Sequence, residues 1–272
     1  MRNKKINLPY FDEIMSELDH ENKNMEKVFG KHVHWGYWEN PENADGTYED
    51  FKKATDALCE KVWSLGNIKE KDCVLDVGCG FGGTISSLND SFNSLNMVGL
   101  NIDQRQIDRA RKNVKAKKEN IIKFVKGSAS QLPFEENSFD VILAVECIFH
   151  FPDRNDFFDE VQRVLRPGGY FALSDFIISY ELPPMWFFSK GPRIPFYGNI
   201  QLCNIERYET LAEGSGFGIE EIQEITRNVL PTYPVVKKIF LKNKIGFLLT
   251  LIAQITQSIK FIQYKNISFK KK

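Results

Sequence analysis

The run Cys73-Val74-Leu75-Asp76-Val77 is short, largely apolar and cut off by Gly78-Cys79-Gly80-Phe81-Gly82-Gly83, a turn with four glycines in six residues. Such a run, bounded by glycine, reads as a strand, and the turn after it can take φ > 0 and let another group come close to the backbone. The chain then repeats the arrangement. Residues 83–92 read as helix, 95–101 as strand, 103–118 as a charged helix with Ile107, Ala110 and Val114 on one face, and 121–126 as strand. The segment FDVILAV at 139–145 is nearly all apolar, as expected of a strand buried on both faces. A helix over 153–165 turns Phe157, Phe158, Val161, Val164 and Leu165 inward and stops at Pro167-Gly168-Gly169, before a strand at 170–176. Alternating strands and helices imply βαβ units, a parallel sheet and right-handed crossovers. The expected fold class is therefore α/β.

Around this centre the pattern changes. Residues 1–48 are polar and aromatic, with the cluster His32-Val33-His34-Trp35-Gly36-Tyr37-Trp38, and 50–66 form an amphipathic helix. Residues 180–200 hold four prolines and many aromatics, including Trp186, Phe187, Phe188, Phe196 and Tyr197, which suits a lid better than a plain connection. A helix at 205–213 and a strand at 218–226 follow.

At 272 residues the chain suits one large domain, or one with an appendage, and can bury a full core without a staple. Lys and Arg balance Asp and Glu at 36 each, which argues against a nucleic-acid partner. Five cysteines with no C-x2-C spacing fit neither a disulfide framework nor a zinc ribbon. No apolar stretch follows the first basic residues, so no secretory signal is read and a reducing, cytoplasmic location is expected.

The balanced charge conceals an asymmetry. Beyond Glu224 there is no acidic residue, and 225–272 carries +10, leaving −10 for the rest. Within it 245–259 is uncharged, fifteen residues long and so short of the ~20 that span a bilayer. Ile245, Leu248, Leu249, Ile252, Ile255, Ile259 and Ile262 recur at helical spacing. One reading is a helix packed on the core with a last strand near 263–270; the other is a helix lying on a membrane surface.

Gly78-x-Gly80-x-x-Gly83 satisfies a dinucleotide-binding pattern, but Asp76 stands two residues before it. A carboxylate there repels a pyrophosphate and attracts an ammonium group. S-adenosylmethionine (SAM) has an ammonium, a sulfonium and no phosphate, so Asp76 favours SAM over NAD.

VLDVGCGFGG, MVGLNID, GSASQLPFEENSFDVILAVE and VLRPGGYFALSD, in that order, resemble the motifs of the class I SAM-dependent methyltransferases over about residues 60–178. HWGYW and the 180–200 insertion resemble the small-molecule branch, which holds sterol, tocopherol, phthiotriol and natural-product methyltransferases. The resemblance implies a Rossmann-like class I methyltransferase sheet with an N-terminal helical cap (1–66), a SAM-binding core (67–179), an aromatic lid insertion (180–204) and a C-terminal part of the core with a basic amphipathic helix (205–272). It implies SAM as cofactor and a small, apolar acceptor.

Carried over position by position, Asp76, Gly78, Cys79 and Gly80 form the loop under the methionine part of SAM. Asn101, with Ile102 beside it, takes the place where the family usually has an acid for the ribose hydroxyls. Ser128 stands where an acid often reaches the adenine, and Ala129 offers its backbone N–H. Gln106 either approaches the ribose edge or belongs to a solvated helix face, and Asp103 suits a helix cap. Tyr37, with Trp35 and Trp38, closes over the cofactor, against the alternative of packing within the cap.

Glu146 and His150 follow the strand 139–145, at the level where open α/β sheets bind ligands. His150 is the candidate catalytic base, against the alternative of a core histidine. Glu146 contacts the cofactor, steadies a cationic acceptor or opens a helix. Cys79 and Cys147 read as packing, although a Cys147–His150 dyad stays open. His32 and His34 are two apart, with no acid or cysteine near in sequence to complete a metal site. The expected reaction is in-line methyl transfer in a dry pocket. Two rivals remain: a nicotinamide-dependent oxidoreductase, for which Asn101 is the wrong residue, and a non-catalytic SAM-binding partner subunit.

Overall fold

The computed structural model describes residues 8–179, 193–194 and 197–272, without the side chains at 193, 194, 199 and 242. Trp186, Phe187, Phe188 and Phe196 of the expected lid lie outside the described residues. The strands are β1 (Cys73–Val77), β2 (Asn96–Asn101), β3 (Ile121–Lys126), β4 (Phe139–Val145), β5 (Leu165–Ile178), the short pair β6 (Arg193–Ile194) and β7 (Gly198–Asn199), β8 (Phe217–Glu224) and β9 (Ile262–Lys271). The helices are α1 (Pro9–Asp19), α2 (Lys23–Phe29), α3 (Tyr48–Ser64), α4 (Gly83–Ser91), α5 (Gln104–Asn113), α6 (Arg154–Val164), α7 (Ile205–Gly214), α8 (Thr226–Val229), α9 (Thr232–Ile239) and α10 (Lys244–Ser258).

One seven-stranded sheet runs in the order β3-β2-β1-β4-β5-β9-β8. β1 to β5 are mutually parallel, and β9 is antiparallel to both β5 and β8. β1 pairs with β2 on one side and β4 on the other, so the strand order reverses there and opens a crevice at the carboxyl ends. This is the Rossmann-like sheet the motifs implied.

Element edges moved for local reasons. The helix expected to reach 118 stops at Asn113, because the buried Asn89 captures the following backbone: its Nδ2 donates to the Lys115 carbonyl and its Oδ1 accepts from the Lys117 N–H, both at 2.9 Å. Pro167-Gly168-Gly169 does not precede the strand but lies inside β5, where the pairing with β4 shifts register. Asp103 caps α5 by accepting from the Arg105 N–H.

Phe158, Phe171, Phe217 and Phe269 form the ring cluster at the centre, with Tyr208 packed on it. A second apolar cluster joins α1, α2 and α3 to Val235, Val236 and Phe240 beyond the first turn of α9. The +10 tail is therefore not one patch. Lys265, Lys270 and Lys271 belong to β9, and Lys271 is buried, its Nζ donating to the carbonyls of Gln162 and Leu165 at 2.6 Å. Both halves of the first reading hold: α10 packs on the molecule through one face, and the last strand lies inside the sheet, paired on both sides.

Candidate active site

A cavity of 1210 Å³ opens at the carboxyl ends of β1, β2 and β4. Gly78, Cys79, Gly80, Asn101, Ile102, Gln106, Ser128, Glu146 and His150 all line it. Asp76, Ala129 and Tyr37 do not.

The glycine turn makes the floor. Gly78 has φ +77, and a Cβ there would stand 2.7 Å from the Cys147 Cβ, so no side chain fits. A Cβ on Gly83 would meet His32 Nδ1 at 2.2 Å. α4 starts at Gly83 with no side-chain cap, which leaves its first N–H groups for an anion. Asp76 lies beneath this floor, 1% exposed, and neither carboxylate oxygen has a hydrogen-bond partner among the described residues. Burial pushes its pKa up to about 7, partly opposed by the Thr84 hydroxyl, which lies outside hydrogen-bonding geometry. An orphaned buried carboxylate, an uncapped helix start and a turn that admits no Cβ suit a ligand with an ammonium and a carboxylate, as in the methionine part of SAM.

Asn101 and Gln106 bond each other: Asn101 Nδ2 donates to Gln106 Oε1 at 2.7 Å, and Asn101 Oδ1 accepts from the Ile102 N–H. Gln106 is buried, so the solvated helix face is ruled out for it. The Ala129 side chain packs into the core.

Tyr37 needs correction. Its hydroxyl donates to Glu39, Lys61 lies over its ring, and the ring packs with Leu58, Val229 and Tyr264, away from the cavity. Trp38 packs on Phe51 and donates Nε1–H to Asp50. Trp35 reaches the site through its backbone, whose N–H donates to Glu146 Oε2 at 2.8 Å, while its ring packs on Phe176 and Tyr233. These rings build the cap.

Glu146 takes a left-handed conformation, φ 51, just past the end of β4. Its Oε2 also accepts from the Tyr264 hydroxyl at 2.7 Å. Burial pushes its pKa up to about 8 against those two donors. Cys147 donates Sγ–H to the Val77 carbonyl, and burial with the nearby Asp76 holds the Cys147 and Cys79 thiols well above the usual range. His150 bonds elsewhere, so the geometry offers no Cys147–His150 dyad.

His150 meets a residue that the motifs did not reveal. Tyr10, in the first turn of α1, lies with its hydroxyl 3.0 Å from His150 Nε2 and its ring stacked on the imidazole at 5.8 Å. Burial first, and then Glu146, hold the Tyr10 phenol well above its ordinary range, so it keeps its proton. The hydroxyl donates to Nε2 in the tautomer that carries its proton on Nδ1, which is the form in which His150 can act as a base. His32 and His34 also line the cavity, and their ring nitrogens are engaged: His34 Nδ1 with the Trp35 carbonyl, His34 Nε2 with His32 Nδ1, and His32 Nε2 with Asp56. Asp56 is the acid that sequence spacing could not join to them.

Residues 75–173 match the family model described as "Methyltransferase domain". Over 229 residues the chain is 30% identical to the methyltransferase GfsG of Streptomyces halstedii, covering 84% of this chain and 81% of that protein. It is 27% identical over 210 residues to the 27-O-demethylrifamycin SV methyltransferase of Amycolatopsis mediterranei (strain S699), covering 77% and 75%. The crystal structure of the [4+2]-cyclase SpnF superposes with a TM-score of 0.75 over 98% of both chains at 19% identity, a likeness of fold alone. With these relatives the nicotinamide rival falls away, and the chain belongs to the SAM-dependent methyltransferases that act on small molecules.

Proposed function

We propose that this enzyme methylates a hydroxyl of a small lipophilic acceptor and that Tyr10 and His150 carry off the proton. The hydrogen bond between these two side chains at the cavity wall is the observation that carries the reading. The relative named for 27-O-demethylrifamycin SV supports it. Bound SAM supplies an electrophilic methyl group on a sulfonium. Gly78, Cys79 and Gly80 with the start of α4 would hold its methionine end, Asn101 and Gln106 its ribose, and Ser128 its adenine. Asp76 acts from below the floor as a fixed negative charge when ionised.

Because the Tyr10 hydroxyl occupies Nε2, the acceptor's proton reaches His150 through Tyr10. The acceptor O–H proton passes to the Tyr10 oxygen as the Tyr10 proton passes to Nε2. Glu146, with Oε2 held by Trp35 and Tyr264, orients the acceptor. Phe11, Val33 and Phe151 give the cavity an apolar wall that excludes water. The partition into 1–66, 67–179, 180–204 and 205–272 fits these roles, with the first segment supplying Tyr10 and the second the cofactor floor. Among the described residues no helix is long and apolar enough to cross a membrane. A cytoplasmic protein that meets its apolar acceptor at a membrane surface, through the segment 225–272, fits both the acceptor and the tail.

Calorimetry should register SAM and S-adenosylhomocysteine and no NAD. Mass spectrometry of reactions with SAM and hydroxylated macrocycles, 27-O-demethylrifamycin SV among them, should find methylated product. NAD binding with no response to SAM would overturn the reading. SAM binding with no product across the panel would favour the partner-subunit alternative.

A further inference from the structure

Nine large hydrophobic residues are exposed among those described, and six fall at or near α10: Leu241, Ile245, Leu248, Ile252, Ile255 and Ile259. The last five follow one another by three and four, so they form one stripe along the outer face of α10 and its C-terminal end, and Leu241 lies exposed in the turn just before the helix. They are 47% to 68% exposed. The opposite face of α10 is tied down: Gly246, Thr250 and Gln257 are buried, and Gln257 Oε1 accepts from the Tyr233 hydroxyl. Thr250 Oγ1 lies 3.2 Å from the Tyr197 hydroxyl, and the Tyr197 ring stands 5.6 Å from Tyr10. The inner face of α10 therefore backs the aromatic wall at the His150 end of the cavity, and its outer face is bare.

Charge decides what covers it. Segment 225–272 has no acid. Lys244 and Lys260 stand exposed at the two ends of the stripe; Lys260 has Glu224 at 3.7 Å, and Lys244 has no acidic partner among the described residues. Lys237, on the preceding helix, donates to the neutral Gln254 oxygen, and Lys238 donates to the Gly46 carbonyl with Asp45 near it. A second copy packed along the same stripe would set lysine ends against lysine ends. The positions flanking the stripe, such as Leu249, Leu251, Thr256 and Ser258, carry no charge to fix a register. An anionic lipid surface accepts both the aliphatic stripe and the lysines.

We propose that the outer face of α10, from Leu241 to Ile259, lies on an anionic membrane surface and holds the His150 end of the cavity close to it. This deepens the reading of a lipophilic acceptor and rests on it for the purpose of the contact, while the contact itself is measured without any acceptor. The full chain should float with phosphatidylcholine vesicles containing about one third phosphatidylserine, float less with pure phosphatidylcholine, and be released by salt. Ile252→Glu with Ile255→Glu should cut vesicle partition at least about tenfold while leaving SAM binding and the melting temperature near wild type. Lys244→Glu with Lys260→Glu should remove the preference for anionic lipid. No flotation of the wild type with anionic vesicles would overturn the proposal, as would equal flotation of the isoleucine variant. A dimer in sedimentation that the isoleucine substitutions dissociate would assign the stripe to a second copy instead. If vesicles bind but calorimetry shows no SAM binding, the methyl-transfer reading fails and the membrane face stands.

Discussion

Replacing Tyr10 by Phe removes one hydroxyl and keeps the ring that stacks on His150. If the proton travels through that hydroxyl, Tyr10→Phe and His150→Ala should each slow methyl transfer to a hydroxyl acceptor by about 10²–10⁴-fold. The double variant should be no slower than the worse single, because both cut one relay. SAM affinity measured by calorimetry should barely move. Full activity in Tyr10→Phe beside a slow His150→Ala would return the base to His150 alone. Asp76 and Glu146 make a second prediction. Their carboxyls sit at about 7 and about 8, above the ordinary 3.8 and 4.5, so the folded chain binds these protons more tightly than the unfolded one. The stability that these two groups contribute is full below their ordinary pKa values, is lost as pH rises toward their folded ones, and is gone above them. Melts from pH 5 to 9 should show the decline, and Asp76→Asn and Glu146→Gln should each flatten it. Asn101, Glu146 and His150 were legible in the sequence because each follows a strand end, and the sheet carries strand ends to one crevice. Tyr10 was not, since its place depends on α1 folding across 140 positions of chain to reach His150. Tyr37 was misread because the cap turns its ring toward Leu58 and Tyr264, away from the cavity.

At the scale of elements, one buried ion pair ties three of them together. Arg154, at the start of α6, donates to Asp175 of β5 at 2.9 Å and to the Gln201 carbonyl at 2.6 Å. Tyr208 of α7 donates its hydroxyl to the same Asp175 oxygen at 2.5 Å. Arg154 and Asp175 are 5% and 0% exposed in their side chains. Burial raises the Asp175 pKa while Arg154 and Tyr208 oppose it, so removing the arginine leaves a buried acid without its cation. Arg154→Met should cost about 3–5 kcal/mol in a urea titration, whereas the exposed pair of Arg227 and Glu42 should lose at most about 1 kcal/mol when Arg227→Ala breaks it. Strands and helices of the centre were readable because their apolar spacing is local. The edges were less so: α5 is shortened by Asn89, a side chain from another helix, and no periodicity within 103–118 records that competitor.

For the whole molecule, the decisive placement is β9. It pairs with β5 from Tyr170↔Lys270 to Ile178↔Ile262 and with β8 on its other edge. Its Ile267 and Phe269 are fully buried in the main core. Deleting 262–271 should abolish the cooperative melt, and Phe269→Ala should cost about 3–5 kcal/mol; a truncation that still melts cooperatively would mean that the other strands close without it. Composition left the tail open between a last strand on the core and a helix on a membrane, because pairing with β5 and β8 joins residues far apart in the chain and no local pattern records it. The same placement governs how the protein is made. During synthesis β5 leaves the ribosome with one edge unpaired, and the strand that covers it arrives only after residues 180–204, α7, β8 and the last helices. At roughly 5–20 residues per second that interval lasts several seconds. Throughout it, Phe171-Ala172-Leu173-Ser174-Asp175-Phe176-Ile177-Ile178 is an open template for pairing with other nascent chains. Newly made protein should therefore depend on holding chaperones until its translation is nearly finished, and slowing translation between β5 and β9 should lower the yield of soluble enzyme more than slowing it before β5.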